Sequence, residues 1–189
     1  MREIRQHIII ALVEDKPGVL NRIASKWRQR GFNIESLAVG HSETAGLSRM
    51  TIVVDANTDA EQVVKQLDKL VDVVEIRDIS DENVVSRELA LIKVKATAEN
   101  RSLIIEIVNI FRAEIIDVGP ESLIIEVTGP DDKIDAMSDL LKDYGVVEIV
   151  RTGRVALLRG AASSTPGLHE LVEEPFERYP EGETPYSSE

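Results

Sequence analysis

The chain has 189 residues, 43% of them hydrophobic, and a net charge of −12. That is apolar material for one large core or two small ones, and the charge disfavours nucleic acid or anionic lipid as main partner, because both are bound by clustered Lys and Arg. With no cysteine, disulfides and thiolate metal sites are excluded; with no apolar run near the roughly 20 residues of a membrane span and no secretory leader after Met1, a cytoplasmic protein is expected.

Residues 7–13 form an almost continuous apolar run of strand length, ended by the turn Glu14-Asp15-Lys16-Pro17-Gly18, which reads as a central strand. Val19, Leu20, Ile23, Ala24 and Trp27 then share one helical face, Arg22, Lys26, Arg28 and Arg30 take the other, and Gly31 supplies the left-handed stop. Two β-rich stretches, 33–40 and 47–55, form a hairpin around the turn at 42–46. Thr58-Asp59-Ala60-Glu61 predicts a capping box, opening a helix whose apolar spacing runs through Ala60, Val63, Val64, Leu67, Leu70 and Val71. A strand over 73–79 completes a βαββαβ order.

A polar stretch at 78–86 reads as a linker, and the pattern then repeats. Ala90, Ile92, Val94 and Ala96 alternate as a half-buried strand, and Leu103, Ile104, Ile107, Val108 and Phe111 follow at helical spacing. A hairpin turns around Gly119-Pro120, and Gly129-Pro130-Asp131-Asp132 opens a helix closed by Gly145, with the two aspartates at the expected N-cap. One strand is predicted over 146–158. Repetition of βαββαβ argues for two ferredoxin-like units rather than one larger domain. Residues 161–189 hold four of the seven prolines and seven Glu against one Arg, so half of the net charge lies there; that composition predicts a largely disordered tail, although Leu168, Leu171, Val172 and Phe176 leave room for a short docking helix.

The turn before the first helix sets Pro17 near the first helical position, where a missing N–H costs nothing, and Gly18 where backbone can be approached closely. The N–H groups of Gly18, Val19 and Leu20 are candidates to bind a carboxylate, helped by the helix dipole; taken alone, the same residues read as a capped helix start with no ligand. Asn33 can offer its amide to a ligand at the start of the second strand, or serve as a turn residue. That strand lies at a sheet edge in ferredoxin-like topology, where another copy can pair. His7, His41 and His169 share no metal-ligand spacing, Trp27 reads as core, and Asn100-Arg101-Ser102 matches a glycosylation acceptor only formally. No nucleophile, phosphate loop or dinucleotide fingerprint is present, so no catalytic residue is expected.

The runs Val13-Glu14-Asp15-Lys16-Pro17-Gly18-Val19-Leu20, Arg30-Gly31-Phe32-Asn33-Ile34-Glu35-Ser36-Leu37, Ser48-Arg49-Met50-Thr51-Ile52 and Lys69-Leu70-Val71-Asp72-Val73 resemble the ACT domain of acetolactate synthase small subunits. Further on, Ser86-Arg87-Glu88-Leu89, Phe111-Arg112-Ala113-Glu114-Ile115-Ile116-Asp117-Val118 and Glu148-Ile149-Val150-Arg151-Thr152-Gly153 resemble that family's C-terminal domain. The resemblance implies an α+β fold of two ferredoxin-like domains in tandem: an ACT domain at 1–80 for effector binding and dimerisation, a C-terminal domain at 81–160, and the tail.

It also implies a homodimer that binds a branched-chain amino acid, valine foremost, between two ACT domains. The matching positions are Asp15, Gly18, Val19 and Leu20 from one subunit and Asn33 and Ile34 from its neighbour. The family commonly has Asn where this chain has Asp15, a carboxylate suited to the effector's ammonium and repelling its carboxylate. By the same resemblance the chain has no cofactor of its own. It activates a separate catalytic subunit that carries thiamine diphosphate, Mg²⁺ and FAD, and imposes feedback inhibition by valine. A free-standing ACT-domain sensor of another enzyme is the alternative. An RNA-binding ferredoxin-like sheet is disfavoured by the charge and by an aromatic content of 4%.

Overall fold

The structure is a computed structural model that describes residues 6–55 and 57–160. Along the described chain run β1 (His7–Glu14), α1 (Val19–Arg30), β2 (Ile34–His41), β3 (Leu47–Val54), α2 (Ala60–Leu67), β4 (Val73–Asp78), β5 (Val84–Lys95), α3 (Arg101–Ile110), β6 (Glu114–Val118), β7 (Ser122–Gly129), α4 (Asp131–Lys142), β8 (Val146–Arg151) and β9 (Val155–Leu158). The first sheet has the order β2-β3-β1-β4 and the second β6-β7-β5-β8, with β9 also on β5, all pairs antiparallel. Each is the ferredoxin-like arrangement that a doubled βαββαβ pattern predicts.

In the first sheet Ile9, Ala11 and Val13 of β1 alternate toward α1 and α2, where they pack with Ile23, Trp27 and Val63. Trp27 is 3% exposed and meets Phe32 edge-on at 6.4 Å, the core role its spacing indicates. Ile8 and Ile10 point to the opposite face and are covered there by Ile79, Ala156, Val84 and Leu158. Burial on both faces is why β1 shows no polar alternation. The second sheet buries Ala90, Ile92 and Val94 against Ile104, Val108, Ile134 and Met137.

Several elements differ from the sequence expectation. The linker is shorter: β4 stops at Asp78 and β5 already starts at Val84, because Val84–Arg87 pair with β9. The strand predicted over 146–158 is broken at Thr152-Gly153-Arg154 into β8 and β9, which pair with successive stretches of β5. α2 ends at Leu67; Leu70 still packs on the core, but Val71 is 93% exposed in the following turn. Its N-cap is Asp59 rather than Thr58, with the carboxylate accepting from the Gln62 N–H at 3.0 Å, while Glu61 pairs with Lys65 at 2.6 Å. Pro130 takes the N-cap position of α4, so Asp131 and Asp132 lie in its first turn, where they complement the dipole instead of capping by side chain.

The break between β8 and β9 joins the two halves. Arg154 N–H donates to Ser36 Oγ at 2.8 Å, and a Cβ on Gly153 would stand 2.7 Å from that oxygen and 3.3 Å from the Leu37 carbonyl oxygen. Gly153 also has φ +82°, so both space and backbone require glycine. Gly153→Ala is expected to lower stability by about 1–3 kcal/mol, read as a lower urea midpoint; an unchanged midpoint would show that the turn does not press on β2. The tail expected at 161–189 lies outside the described residues.

Candidate functional site

At the end of β1 the chain is tied down on both sides. Glu14 N–H donates to the Asp72 carbonyl at 2.9 Å and Asp15 N–H to the Gly46 carbonyl at 2.8 Å. α1 then begins at Val19, with Gly18 as N-cap at φ +85° and Pro17 just outside the helix rather than at its first position. Val19 N–H reaches the Lys16 carbonyl only at 3.4 Å, and the amides of Gly18 and Leu20 meet no acceptor among the described residues. No acidic side chain occupies the first turn, so the positive end of the dipole is uncompensated and suited to a carboxylate. Val19 can contribute only its backbone, since its side chain is in the core, whereas Leu20 is 48% exposed.

Two neighbours of this turn were not legible as site residues. Arg22, on the face read as solvated, donates from Nε and Nη2 to both oxygens of the buried Asp72 at 2.6 and 2.7 Å. That hydrogen bond, with the nearby charge, holds its proton more tightly than usual. Its Nη1 also lies 3.7 Å from where a Cβ on Gly18 would stand, so a cation borders the expected carboxylate position. The only available signal was an Asp in the apolar run at 70–74. His41, at the end of β2, brings Nδ1 to 3.1 Å from Asp15 Oδ2, an ion pair whenever the imidazole is protonated. The departure at position 15 therefore comes with a side chain able to hold its charge.

Asp15, Gly18, Val19 and Leu20 thus come together, but Asn33 and Ile34 do not join them within one chain. Ile34 aligns with Val54 and so with His7, whereas Glu14 aligns with Leu47, and Val13 and His41 both align with Ser48. The two groups sit at opposite ends of β1, about 23 Å apart at the usual rise of a strand. Asn33 is exposed and Ile34 half-buried. β2 is the edge of its sheet, paired only with β3 among the described residues.

A second concavity, a polar cleft of about 440 Å³, lies between the two sheets. Most of its charges are internally paired: Arg151 donates to both oxygens of the buried Glu88 at 3.0 and 2.7 Å and to Asp135 at 2.6 Å, and Arg154 pairs with Asp131. The Glu88 hydrogen bond, first among its causes, raises the proton affinity of Arg151. Such a set fastens structure, and the remaining carboxylate of the lining, Glu35, accepts from the Gln6 side-chain amide. Among the described residues no cluster of three His, Asp or Glu is arranged to hold a metal ion, and no helix is long and apolar enough to cross a membrane.

Comparison with known proteins covers both halves. Residues 9–75 match the family model of the AHAS small subunit-like ACT domain, and residues 87–160 match that of the small subunit of acetolactate synthase. The acetolactate synthase small subunit of Mycobacterium bovis is 55% identical over 157 residues, covering 82% of this chain and 94% of that protein. That of Bacillus subtilis is 47% identical over 157 residues, covering 82% and 91%. The crystal structure of the Thermotoga maritima small subunit superposes with a TM-score of 0.77 at 46% identity, over 84% of this chain and 100% of that one. Since the whole Thermotoga chain is matched by part of this one, truncation after Gly160 is expected to lower Tm by no more than about 2–4 °C, the shift about 1 kcal/mol produces at this size. A much larger fall would make the tail part of the fold. With both domain families matched in order and relatives near half identity, the chain belongs to the family of acetolactate synthase small subunits.

Proposed function

We propose that the chain is the regulatory subunit of acetolactate synthase, a homodimer that activates a separate catalytic subunit and transmits valine binding to it as feedback inhibition. Residues 1–80 bind effector and dimerise; residues 81–160 form the second domain. The observation that carries this reading is the separation of the two halves of the expected site along one open-edged sheet. A two-fold, antiparallel pairing of β2 with the β2 of a second copy, anywhere near the strand's middle, sets the start of one strand beside the end of the other. Asn33 and Ile34 of one copy then approach Asp15, His41 and the α1 start of its mate, and an effector has two walls only in the dimer.

The chemistry of the two walls suits a small aliphatic amino acid. Free amides at a helix start take the carboxylate, the Asp15 carboxylate takes the ammonium, and Leu20 with Ile34 supplies apolar contact for a branched side chain. Inhibition further requires that the bound effector favour one conformation of the enzyme over another. The acetolactate-forming chemistry, with thiamine diphosphate, Mg²⁺ and FAD, belongs to the catalytic subunit in the cytoplasm. In a pyruvate assay this chain alone is expected to form no acetolactate, to raise the turnover of its cognate catalytic subunit on mixing, and to make the mixture sensitive to valine. Activity from this chain alone, or no response on mixing, counts decisively against the proposal.

A further inference from the structure

We propose that the acidic segment 161–189 folds back onto its own chain and fills an apolar groove between the first sheet and β9. The groove has a volume of about 420 Å³, with Ala38 and Thr51 on the sheet side and Val85, Val155 and Leu157 on the other. Val155 and Leu157 are 53% and 60% exposed, while Ala156 and Leu158, alternating with them, pack against the first sheet. β9 therefore offers water an apolar side that nothing among the described residues covers, and removing such area from water is favourable.

Two arginines border the groove without a carboxylate at ion-pair distance among the described residues. Arg49 Nη2 donates to the Ala156 carbonyl at 3.2 Å, and burial weakens its hold on a proton more than the more distant Glu43 and Glu75 strengthen it. Arg87 Nη1 donates to the adjacent Ser86 carbonyl at 2.7 Å. The site is thus apolar with a positive rim.

The segment after Gly160 has the complementary character and starts close by, separated from the end of β9 only by Arg159 and Gly160. Leu168, Leu171 and Val172 keep the i, i+3, i+4 spacing by which a short helix enters a groove, Pro175 ends that pattern, and Glu170, Glu173 and Glu174 fall off the apolar stripe. From Gly160 to Leu168 the chain can span about 26 Å, ample to reverse along β9. The occupant is this segment rather than a second copy or the catalytic subunit because both its charge and its point of attachment match the groove. The groove adjoins the effector wall at His41, which lines both, but the docking contacts do not use that residue.

The natural chain has no cysteine, so an introduced pair reports proximity directly. In the full-length chain, with oxidised glutathione as oxidant, Leu157→Cys with Leu171→Cys is expected to close a disulfide within one chain at least about tenfold faster than Lys142→Cys with Leu171→Cys, the advantage of a docked over a free tether. Lys142 is exposed on α4 and takes no part in the groove. Adding Arg87→Glu to the first pair should slow its closure severalfold, as should raised salt. A disulfide between chains would give the groove to a second copy and overturn the proposal. So would closure no faster than in the Lys142 control, which would leave the groove to a separate partner. Indifference to Arg87→Glu would remove its electrostatic basis and overturn it equally.

Discussion

Gly18→Asp is expected to weaken valine binding by about 100-fold or more, abolishing feedback, because two carboxylates about 4 Å apart repel by ~4 kcal/mol at an effective dielectric near 20. Activation of the catalytic subunit should stay largely intact, since the substitution touches the effector wall. The new carboxylate would stand where the effector carboxylate is to bind, within reach of the Arg22 guanidinium, and would take for itself the field of the α1 start. Gly18 has φ +85°, so any side chain there is strained. Gly18→Asn separates the causes, because Asn tolerates the left-handed region as well as Asp and adds no charge. It should lose far less affinity. Asn33→Ala should weaken binding by no more than roughly tenfold, the loss of one hydrogen bond of about 1 kcal/mol. Valine inhibition of the mixed enzyme and calorimetry on this subunit alone are the measurements. Full valine sensitivity in both Gly18→Asp and Asn33→Ala would place the effector elsewhere.

Arg151→Met is expected to destabilise the chain by about 2 kcal/mol, somewhat less than the ~3–5 kcal/mol of breaking a fully buried pair, because the guanidinium is partly in water and screened. Its loss strands the Glu88 carboxylate, which is 8% exposed and takes both of its side-chain hydrogen bonds from Arg151. Arg151→Met combined with Glu88→Leu should recover most of the loss, since the cost lies in the uncompensated buried charge and not in the missing bond. Urea unfolding of the single and double variants measures both. A double variant as unstable as the single one would mean that the loss comes from the other contact of the guanidinium, the pair with Asp135, and not from the stranded Glu88.

Most of the fold is legible from local patterns. The unbroken run at the start of β1, the helical faces of α1 and α3, and the glycine stops at Gly31 and Gly145 each follow from neighbours within a few residues. What escapes is set by partners far along the chain. Val84 and Val85 read as linker because their strand character comes from pairing with Leu158 and Leu157, and the break at Gly153 is dictated by the approach of Ser36 and Leu37. The effector wall divides the same way. The α1 start is visible as a motif, while the bond from Arg22 to Asp72 spans fifty residues and that from Asp15 to His41 joins two strand ends. No periodicity announces either.

The double-sided burial of β1 also bears on the order in which the chain can complete itself during synthesis. Ile8 and Ile10 leave the ribosome well before both ends of their cover are made, since that cover includes Ala156 and Leu158, some hundred and fifty residues later. Until β9 emerges, the nascent N-terminal half carries a bare aliphatic stripe on a sheet with an unpaired edge, the combination that invites association with other unfinished chains. Completion of the second half is therefore what shields the first, and a fragment cut between them keeps that stripe open permanently.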